Sequence, residues 1–98
     1  YLAEMHCNSF GLMHGGVIAT LCDSAMANSV GRHYDQPVLP ITTNLSVDYL
    51  GAARLGQWVD FTTFFVKARK TIAFASLFVH ADGEAVARAS ATFRITQR

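Results

Sequence analysis

One carboxylate stands alone in an apolar stretch of the chain. Between Gly15 and Gly31 every residue is apolar, small or uncharged except Asp23. A buried carboxylate must be paired, hydrogen-bonded or neutralised, so Asp23 could serve as a general base. Equally, it could point to solvent or cap a neighbouring loop. Burial would raise the pKa of this carboxyl and nearby donors would lower it, so the pattern leaves its protonation state open.

A second feature with chemical capacity is His14-Gly15-Gly16, which directly precedes that stretch. If a helix begins here, backbone N–H groups without helical partners meet the positive end of the helix dipole. Two glycines would let a carbonyl oxygen or an anion approach those N–H groups, which could stabilise a developing oxyanion. A tight turn that needs glycine only for its dihedral angles is the simpler alternative.

Two further side chains could assist at a carbonyl group. Asn8 could donate a hydrogen bond through its amide, although asparagine is also typical of turns. Thr42 could hold a water molecule with its hydroxyl, although threonine is common in strands for its conformational preference alone. Cys22 adjoins Asp23, but an apolar setting would raise the pKa of its thiol and make it inert.

Hydrophobic periodicity predicts the element that carries Asp23. The apolar residues between Gly15 and Gly31 recur at helical spacing, which predicts a helix. Because the helix has no charged side, we expect it to be covered on every side. The preceding segment, from Cys7 to Leu12, is expected to be a short strand or loop.

The rest of the chain has the period of two that is typical of strands. Pro40 is expected to mark the start of the first strand or a bulge. Residues Gly51 to Gly56 are expected to form a loop. Residues 57–68 are rich in Trp, Phe, Val and Thr, which predicts a strand covered for much of its length. A further strand follows at 71–80, and Asp82-Gly83 predicts a hairpin turn into a last strand with one wet face. These elements predict a single α+β domain over residues 1–98, with one long helix and four or five antiparallel strands.

Composition limits the partners of this domain. Of the 98 residues 51% are apolar and 15% are charged, against about 25% charged in an ordinary soluble domain. A small monomer cannot hide that much apolar surface, so we expect a homo-oligomer. The net charge is +1 with scattered Lys and Arg, which argues against nucleic acid and membrane surfaces as partners.

Targeting and metal signals are also absent from the sequence. No apolar run approaches the roughly 20 residues of a membrane span, and the first residues lack the pattern of a signal peptide, so a cytoplasmic location is expected. Cys7 and Cys22 lack the spacing of a zinc site or a disulfide framework, and no metal or cofactor is expected. The remaining histidines have no spacing typical of a triad or a metal site: His6, His33 and His80.

Three segments together resemble a known family. Residues 8–26, which run from Asn8-Ser9 through His14-Gly15-Gly16 to Asp23 and Met26, resemble the signature of the phenylacetate-degradation (PaaI-like) branch of the hotdog-fold acyl-CoA thioesterases. Residues 45–50, which end in Tyr49-Leu50, and the hairpin at Asp82-Gly83 are similar to later parts of the same family. The resemblance implies the hotdog fold, an antiparallel β-sheet wrapped around one long central helix.

The resemblance also implies a reaction and a division of labour. The reaction is hydrolysis of an aryl- or medium-chain acyl-CoA to the free acid and CoA, in a dimer or homotetramer whose sites are shared between subunits. Asp23 of one subunit would be the general base or the nucleophile, and Thr42 would help to hold the water. The Gly15 N–H and Asn8 would polarise the carbonyl, while His14 shapes the turn.

Other parts of the resemblance concern binding. Gly16 is expected to contact the substrate, and Arg69 and Lys70 the CoA phosphates, with a solvated basic turn as the alternative. The chain starts seven residues before Asn8, so the N-terminal segment usual in this family is expected to be largely absent. Aromatic and Met side chains could line an acyl pocket, although core packing is the common role of such residues: Met26, Phe61, Phe64, Phe65 and Phe74.

Two other functions remain open on the sequence. A hotdog hydratase or dehydratase would use a histidine and a carboxylate to move protons beside a thioester carbonyl. A non-catalytic acyl-CoA-binding module would retain the fold without turnover.

Overall fold

The computed structural model describes residues 7–97, which form one helix and one sheet. The elements are α1 (Gly15–Gly31), β1 (Val38–Tyr49), β2 (Val59–Ala68), β3 (Ile72–Ala81) and β4 (Glu84–Gln97). All neighbouring strands are antiparallel and lie in the order β1-β4-β3-β2. The prediction of an α+β fold with a helix against an antiparallel sheet is confirmed, and β1 and β2 are the edge strands.

The core lies between one side of α1 and one face of the sheet. Ile18, Cys22, Met26 and Val30 recur every four residues along α1 and are buried. The facing positions of the two central strands are mostly alanine, which lets the helix lie close to the sheet. These buried alanines are Ala73, Ala75 and Ala81 of β3 and Ala87, Ala89 and Ala91 of β4.

The opposite side of α1 is open in the single chain. Gly16, Thr20, Ser24 and Asn28, which we call the open stripe, are all exposed and follow one another at helical spacing. None of them is charged. The expectation that the helix is covered on every side therefore holds for only one side of it within a single chain.

The expectation that residues 57–68 are covered for much of their length is wrong for the single chain. Trp58 is 64% exposed, and Phe64 and Phe65 are 55% and 47% exposed. The cause is that β2 is an edge strand with one face directed away from α1. The strand also begins at Val59 rather than 57, because the Trp58 N–H donates to the Asp82 carboxylate at 3.0 Å.

A bulge in β1 decides which residues face the helix. Thr42 is opposite Phe93 of β4, but the next pair is Asn44 with Thr92, so Thr43 is the extra residue. If Thr43 paired regularly instead, Thr42 and Tyr49, seven residues apart, would lie on opposite faces, because side chains alternate along a strand. Pro40 is neither the strand's start nor its bulge, and lies within β1, where an edge strand tolerates proline.

The hairpin between β3 and β4 is confirmed. Asp82 and Gly83 both have positive φ, 48° and 86°, as a two-residue type I′ turn requires. Burial then alternates along β4 from Ala87 to Phe93, with Arg88 and Ser90 on the wet face. Within residues 7–97, no helix is both long enough and apolar enough to cross a membrane.

Candidate active site

The carboxylate of Asp23 is held by a hydroxyl group of β1. The Thr42 Oγ1 donates to Asp23 Oδ1 at 2.6 Å. Asp23 is half-buried, and no ion pair involving it is present within residues 7–97. The proton of the Thr42 hydroxyl is therefore directed at the carboxylate, and Asp23 Oδ2 is left for another partner. Thr42 orients Asp23, while its oxygen can still accept a hydrogen bond from a water.

The turn before α1 presents two backbone donors. His14 is the N-cap, with φ −60° and ψ 134°, and its side chain makes no capping hydrogen bond. Its carbonyl oxygen accepts from the N–H groups of Val17 and Ile18 at 3.1 and 3.2 Å. Across the described part of the chain, the N–H groups of Gly15 and Gly16 donate to no acceptor. They are thus free to bind a carbonyl oxygen at the positive end of the helix.

Tyr49 of β1 holds the same turn through a hydrogen bond to its backbone. Its Oη donates to the Gly15 carbonyl oxygen at 2.7 Å. A Cβ added at Gly15 would lie 3.2 Å from this Oη and 3.3 Å from Cζ, which is tighter than ordinary van der Waals contact. Sequence reasoning identified Tyr49 only as a strand residue. No local pattern could have found the contact, because it joins residues 34 apart in the chain.

Asn8 is a turn residue whose amide group remains a donor. Its Oδ1 accepts from the backbone N–H groups of Phe10 at 2.9 Å and Leu12 at 3.2 Å. Because both partners are donors, this atom must be the oxygen, and the NH₂ group points away from the turn. Asn8 is exposed, so the turn role and the donor role are compatible.

Arg69 and Lys70 lie at the other end of the helix. The Arg69 carbonyl oxygen accepts from Tyr34 Oη at 2.6 Å, and Tyr34 follows the last turn of α1. A helix of 17 residues is about 25 Å long, which separates this basic turn from Gly15. Both basic side chains are exposed.

The aromatic residues suggested for an acyl pocket do not surround Asp23. Phe64, Phe65 and Phe74 lie on the sheet face opposite α1, and Met26 is fully buried in the core. Phe61 faces the helix side and packs against the core. A groove of about 430 Å³ does lie beyond Asp23, between the second half of α1 and the start of β1. It is lined by Ala27, Asn28, Gly31 and Arg32 and by residues 37–40.

Cys22 adjoins Asp23 in sequence but faces the core. Its side chain is fully buried, and this burial raises the pKa of the thiol from 9.0 to about 11. The thiol is therefore protonated near neutral pH, as expected from its apolar setting. Within residues 7–97, no group of three or more His, Cys, Asp and Glu side chains could hold a metal ion.

Comparison with known proteins gives one consistent family. Residues 10–94 match the sequence profile of the thioesterase superfamily. The chain is 35% identical to a proposed esterase of Pseudomonas aeruginosa, a match that covers 94% of this chain and 69% of that protein. It is 31% identical to mouse acyl-coenzyme A thioesterase 13. That match covers 76% of this chain and 52% of the mouse protein, so the chain spans about half of its length.

Solved structures agree with the sequence comparisons. Thioesterase superfamily member 2 of Mus musculus superposes with a TM-score of 0.84 at 27% identity, covering 95% of this chain and 74% of that one. A Bacillus halodurans protein crystallised with CoA superposes with a TM-score of 0.87 at 26% identity, covering 96% of this chain and 62% of that one. With a sequence profile that spans most of its length and these structural neighbours, the chain belongs to the thioesterase superfamily and has the hotdog fold.

Proposed function

We propose that this chain is the subunit of an acyl-CoA thioesterase of the PaaI-like branch, which hydrolyses an aryl- or medium-chain acyl-CoA to the free acid and CoA. The observation that carries the proposal is a hydroxyl-oriented carboxylate, Asp23, on the same helix as the Gly15 and Gly16 N–H groups, which have no acceptor within residues 7–97. One group can activate a nucleophile and the other can bind an oxyanion. A mouse relative named as an acyl-CoA thioesterase and a neighbour crystallised with CoA support the substrate class.

The distance along the helix requires two subunits. Asp23 follows Gly15 by eight residues, which corresponds to about 12 Å along the axis. The free N–H groups also point away from Asp23, toward the N-terminal side of the helix. One thioester carbonyl cannot contact both groups of one chain, so each complete site takes Asp23 from one subunit and the glycine turn from another.

The edge strand β1 can bring these halves together. Asp23 is bound to Thr42 and the glycine turn to Tyr49, and both contacts are on β1. In an antiparallel pair of β1 with β1 of a second copy, Thr42 of each copy would lie opposite Tyr49 of the other. Asp23 of each copy would then face the glycine turn of the other copy. Such pairing would satisfy an unpaired sheet edge and give two equivalent sites related by a two-fold axis.

The proposed hydrolysis uses only protein groups and water. Asp23 takes a proton as the water oxygen bonds to the carbonyl carbon, and the Gly15 and Gly16 N–H groups, with the Asn8 amide, bind the oxyanion. Re-forming the carbonyl breaks the C–S bond, and the CoA sulfur leaves as a thiol with the proton from Asp23. If Asp23 attacks directly, an acyl anhydride of Asp23 forms as CoA leaves, and water then hydrolyses it.

Binding and assembly complete the proposal. The acyl group would enter the groove beyond Asp23, because Ala27 lies one helical turn further on the same side. Arg69 and Lys70 would meet the CoA phosphates.

Dimers would associate further through the outer sheet face, where Phe64 stacks on Phe78 with ring centroids 4.9 Å apart and Phe74 is 40% exposed. We expect this homotetramer to work in the cytoplasm.

A hydrolysis screen over an acyl-CoA panel, with the released thiol detected, tests the proposal. We expect turnover of aryl- or medium-chain substrates, and a fall in kcat of at least about 10² for Asp23→Asn, since this change removes the base and keeps the shape. Glu84→Gln, at the exposed hairpin between β3 and β4, is the control for loss of a carboxylate elsewhere and should keep the parental rate.

Three results would contradict the proposal. Binding of acyl-CoA without turnover would identify a binding module, and addition of water to an enoyl-CoA in place of hydrolysis would identify a hydratase. Full activity of Asp23→Asn would remove Asp23 from the mechanism.

A further inference from the structure

Tyr49 is held against the glycine turn although it belongs to the far end of β1. Its hydroxyl donates to the Gly15 carbonyl oxygen at 2.7 Å. The strand ends immediately after it, because the N–H groups of Leu50 and Gly51 both donate to the Val86 carbonyl oxygen, at 2.8 and 3.0 Å. The backbone therefore fixes the base of the Tyr49 side chain independently of the hydroxyl contact.

The carbonyl that Tyr49 contacts shares a peptide group with the Gly16 N–H. In a planar trans peptide the C=O and N–H bonds point in opposite directions. A hydroxyl that holds the Gly15 oxygen, together with the helical backbone, thus fixes the direction of the Gly16 N–H. It also polarises the peptide group, and such cooperativity strengthens the next hydrogen bond by roughly 10 to 30%.

The two glycines have different surroundings, which separates their roles. A Cβ at Gly15 would press on the Tyr49 ring, with 3.2 Å to Oη and 3.5 Å to Cε1. A Cβ at Gly16 would have no described atom within 4 Å, and Gly16 begins the open stripe. Gly15 is therefore needed for the approach of Tyr49, while the side of the turn at Gly16 is open to a substrate.

We propose that Tyr49 is a positioning residue for the thioester carbonyl, and that its hydroxyl aims the Gly16 N–H at the oxyanion through their shared peptide group. The inference rests on the proposed hydrolysis. Tyr49 does not touch the substrate in this arrangement. Its effect is on the transition state, because the direction of the donor matters most when the oxygen becomes charged.

Tyr49→Phe removes the hydroxyl and keeps the ring. We expect kcat to fall at least about tenfold, less than the 10² to 10³ that loss of a whole donor costs. The dissociation constant of an S-alkyl-CoA thioether, which lacks the thioester carbonyl, should stay within about twofold. Affinity for a trifluoromethyl ketone analogue of the thioester, which mimics the tetrahedral intermediate, should fall in proportion to kcat.

Tyr34→Phe is the matched control. Within residues 7–97, it removes the second tyrosine hydroxyl that donates to a backbone carbonyl, that of Arg69. It should keep the parental kcat at saturating substrate, because the Arg69 turn is proposed to bind CoA and not to stabilise the oxyanion. Equal kcat in Tyr49→Phe and the parent would overturn the positioning role alone, as would a loss of thioether binding and thermal stability that matches the loss of kcat. No hydrolysis by the parent over the whole acyl-CoA panel would overturn the proposed function, and the positioning role with it.

Discussion

At the scale of single residues, the glycine turn shows how similar neighbours acquire different roles. Sequence reasoning assigned Gly15 to the approach of a carbonyl, because a side chain there would hold a ligand away. The structure directs the missing side chain of Gly15 toward the Tyr49 ring instead. Its N–H still faces outward at the helix start, so the donor role and the absence of a side chain have separate causes.

Alanine substitutions at the two glycines should therefore differ. Gly15→Ala should lower both kcat and the melting temperature, because its Cβ would displace Tyr49. Gly16→Ala has space and should hold or raise the free energy of unfolding, by up to about 1 kcal/mol, since alanine loses less entropy in a helix. Its kcat should still fall, because a methyl group would stand on the substrate side.

Thermal unfolding and steady-state kinetics on both variants check this expectation. Gly31→Ala, at the far end of α1 where a Cβ also meets nothing within 4 Å, is the control for the effect of alanine on the melting temperature alone, because Gly31 lines the proposed acyl groove. A stable and fully active Gly15→Ala protein would contradict both the oxyanion role and the Tyr49 contact.

At the scale of elements, periodicity predicted the helix and the strands because burial on one face is a local property of the sequence. The bounds of α1 and the turn at Asp82-Gly83 agree with the sequence. Which strands form the sheet edges depends on pairing between distant segments, and a count of apolar residues does not contain that information. The aromatic segment of β2 was therefore predicted to be covered and proved to be an exposed edge.

The candidate site was predictable in part for the same reason. Asp23 and the glycine turn could be recognised as unusual within their own segment. The contacts of Thr42 with Asp23 and of Tyr49 with Gly15 could not, because they depend on one extra residue in β1. Before and after a bulge the side chains alternate as in any strand. The bulge changes only which residues of the first part share a face with residues of the second part.

Cys22 in the centre of α1 makes the stability of the fold sensitive to alkaline pH. Its pKa is raised from 9.0 to about 11 by burial, so the folded state holds the proton more tightly than the unfolded state. The stabilisation is complete below about pH 9 and is lost as the pH rises from about 9 to 11. The loss should reach about 2 kcal/mol near the upper end of this range.

Denaturant titrations of the parent and Cys22→Ala at pH 8 and pH 10.5 measure this difference. The variant starts less stable because of the cavity, but it should lose less free energy of unfolding between the two pH values. Other groups titrate in both proteins and cancel in the comparison. An equal loss in both proteins would mean that the thiol does not contribute.

At the scale of the whole molecule, a single chain has an incomplete shape. The Cα radius of gyration is 14.2 Å and the dimensions are 43 × 21 × 20 Å, whereas a compact domain of 100 residues has a radius near 13 Å. Three kinds of surface are exposed in the described residues of the single chain: the open stripe of α1, the outer edges of β1 and β2, and the aromatic outer face of the sheet. These surfaces agree with the apolar excess of the composition and with the oligomer that the proposed site requires.

Subunit mixing tests whether the site is shared. Asp23→Asn and Gly15→Ala impair different halves, so a mixed dimer would contain one site with two intact halves and one site with two damaged halves. If half of the dimers are mixed, we expect about a quarter of the parental activity after exchange of equal amounts. Each variant alone should remain near its own low rate.

Exchange itself must be measured, for example by native mass spectrometry of subunits that differ in isotope content. No recovery of activity despite proven exchange would confine the site to one chain. A stable, well-folded and active monomer at micromolar concentration would do so more directly.

The bulge at Thr43 in β1 favours the proposed catalysis at the expense of the stability of the fold. If Thr43 paired regularly with β4 and the residues before it slipped by one position, Leu39 and Ile41, now 47% and 45% exposed, would turn toward the core. Thr42 would turn outward and leave the carboxylate. This regular strand would direct Leu39 and Ile41 inward in place of the smaller Val38 and Pro40, so selection for stability alone would favour the loss of the bulge. Its presence marks a position where the sequence accepts a less stable register in exchange for a hydroxyl beside Asp23.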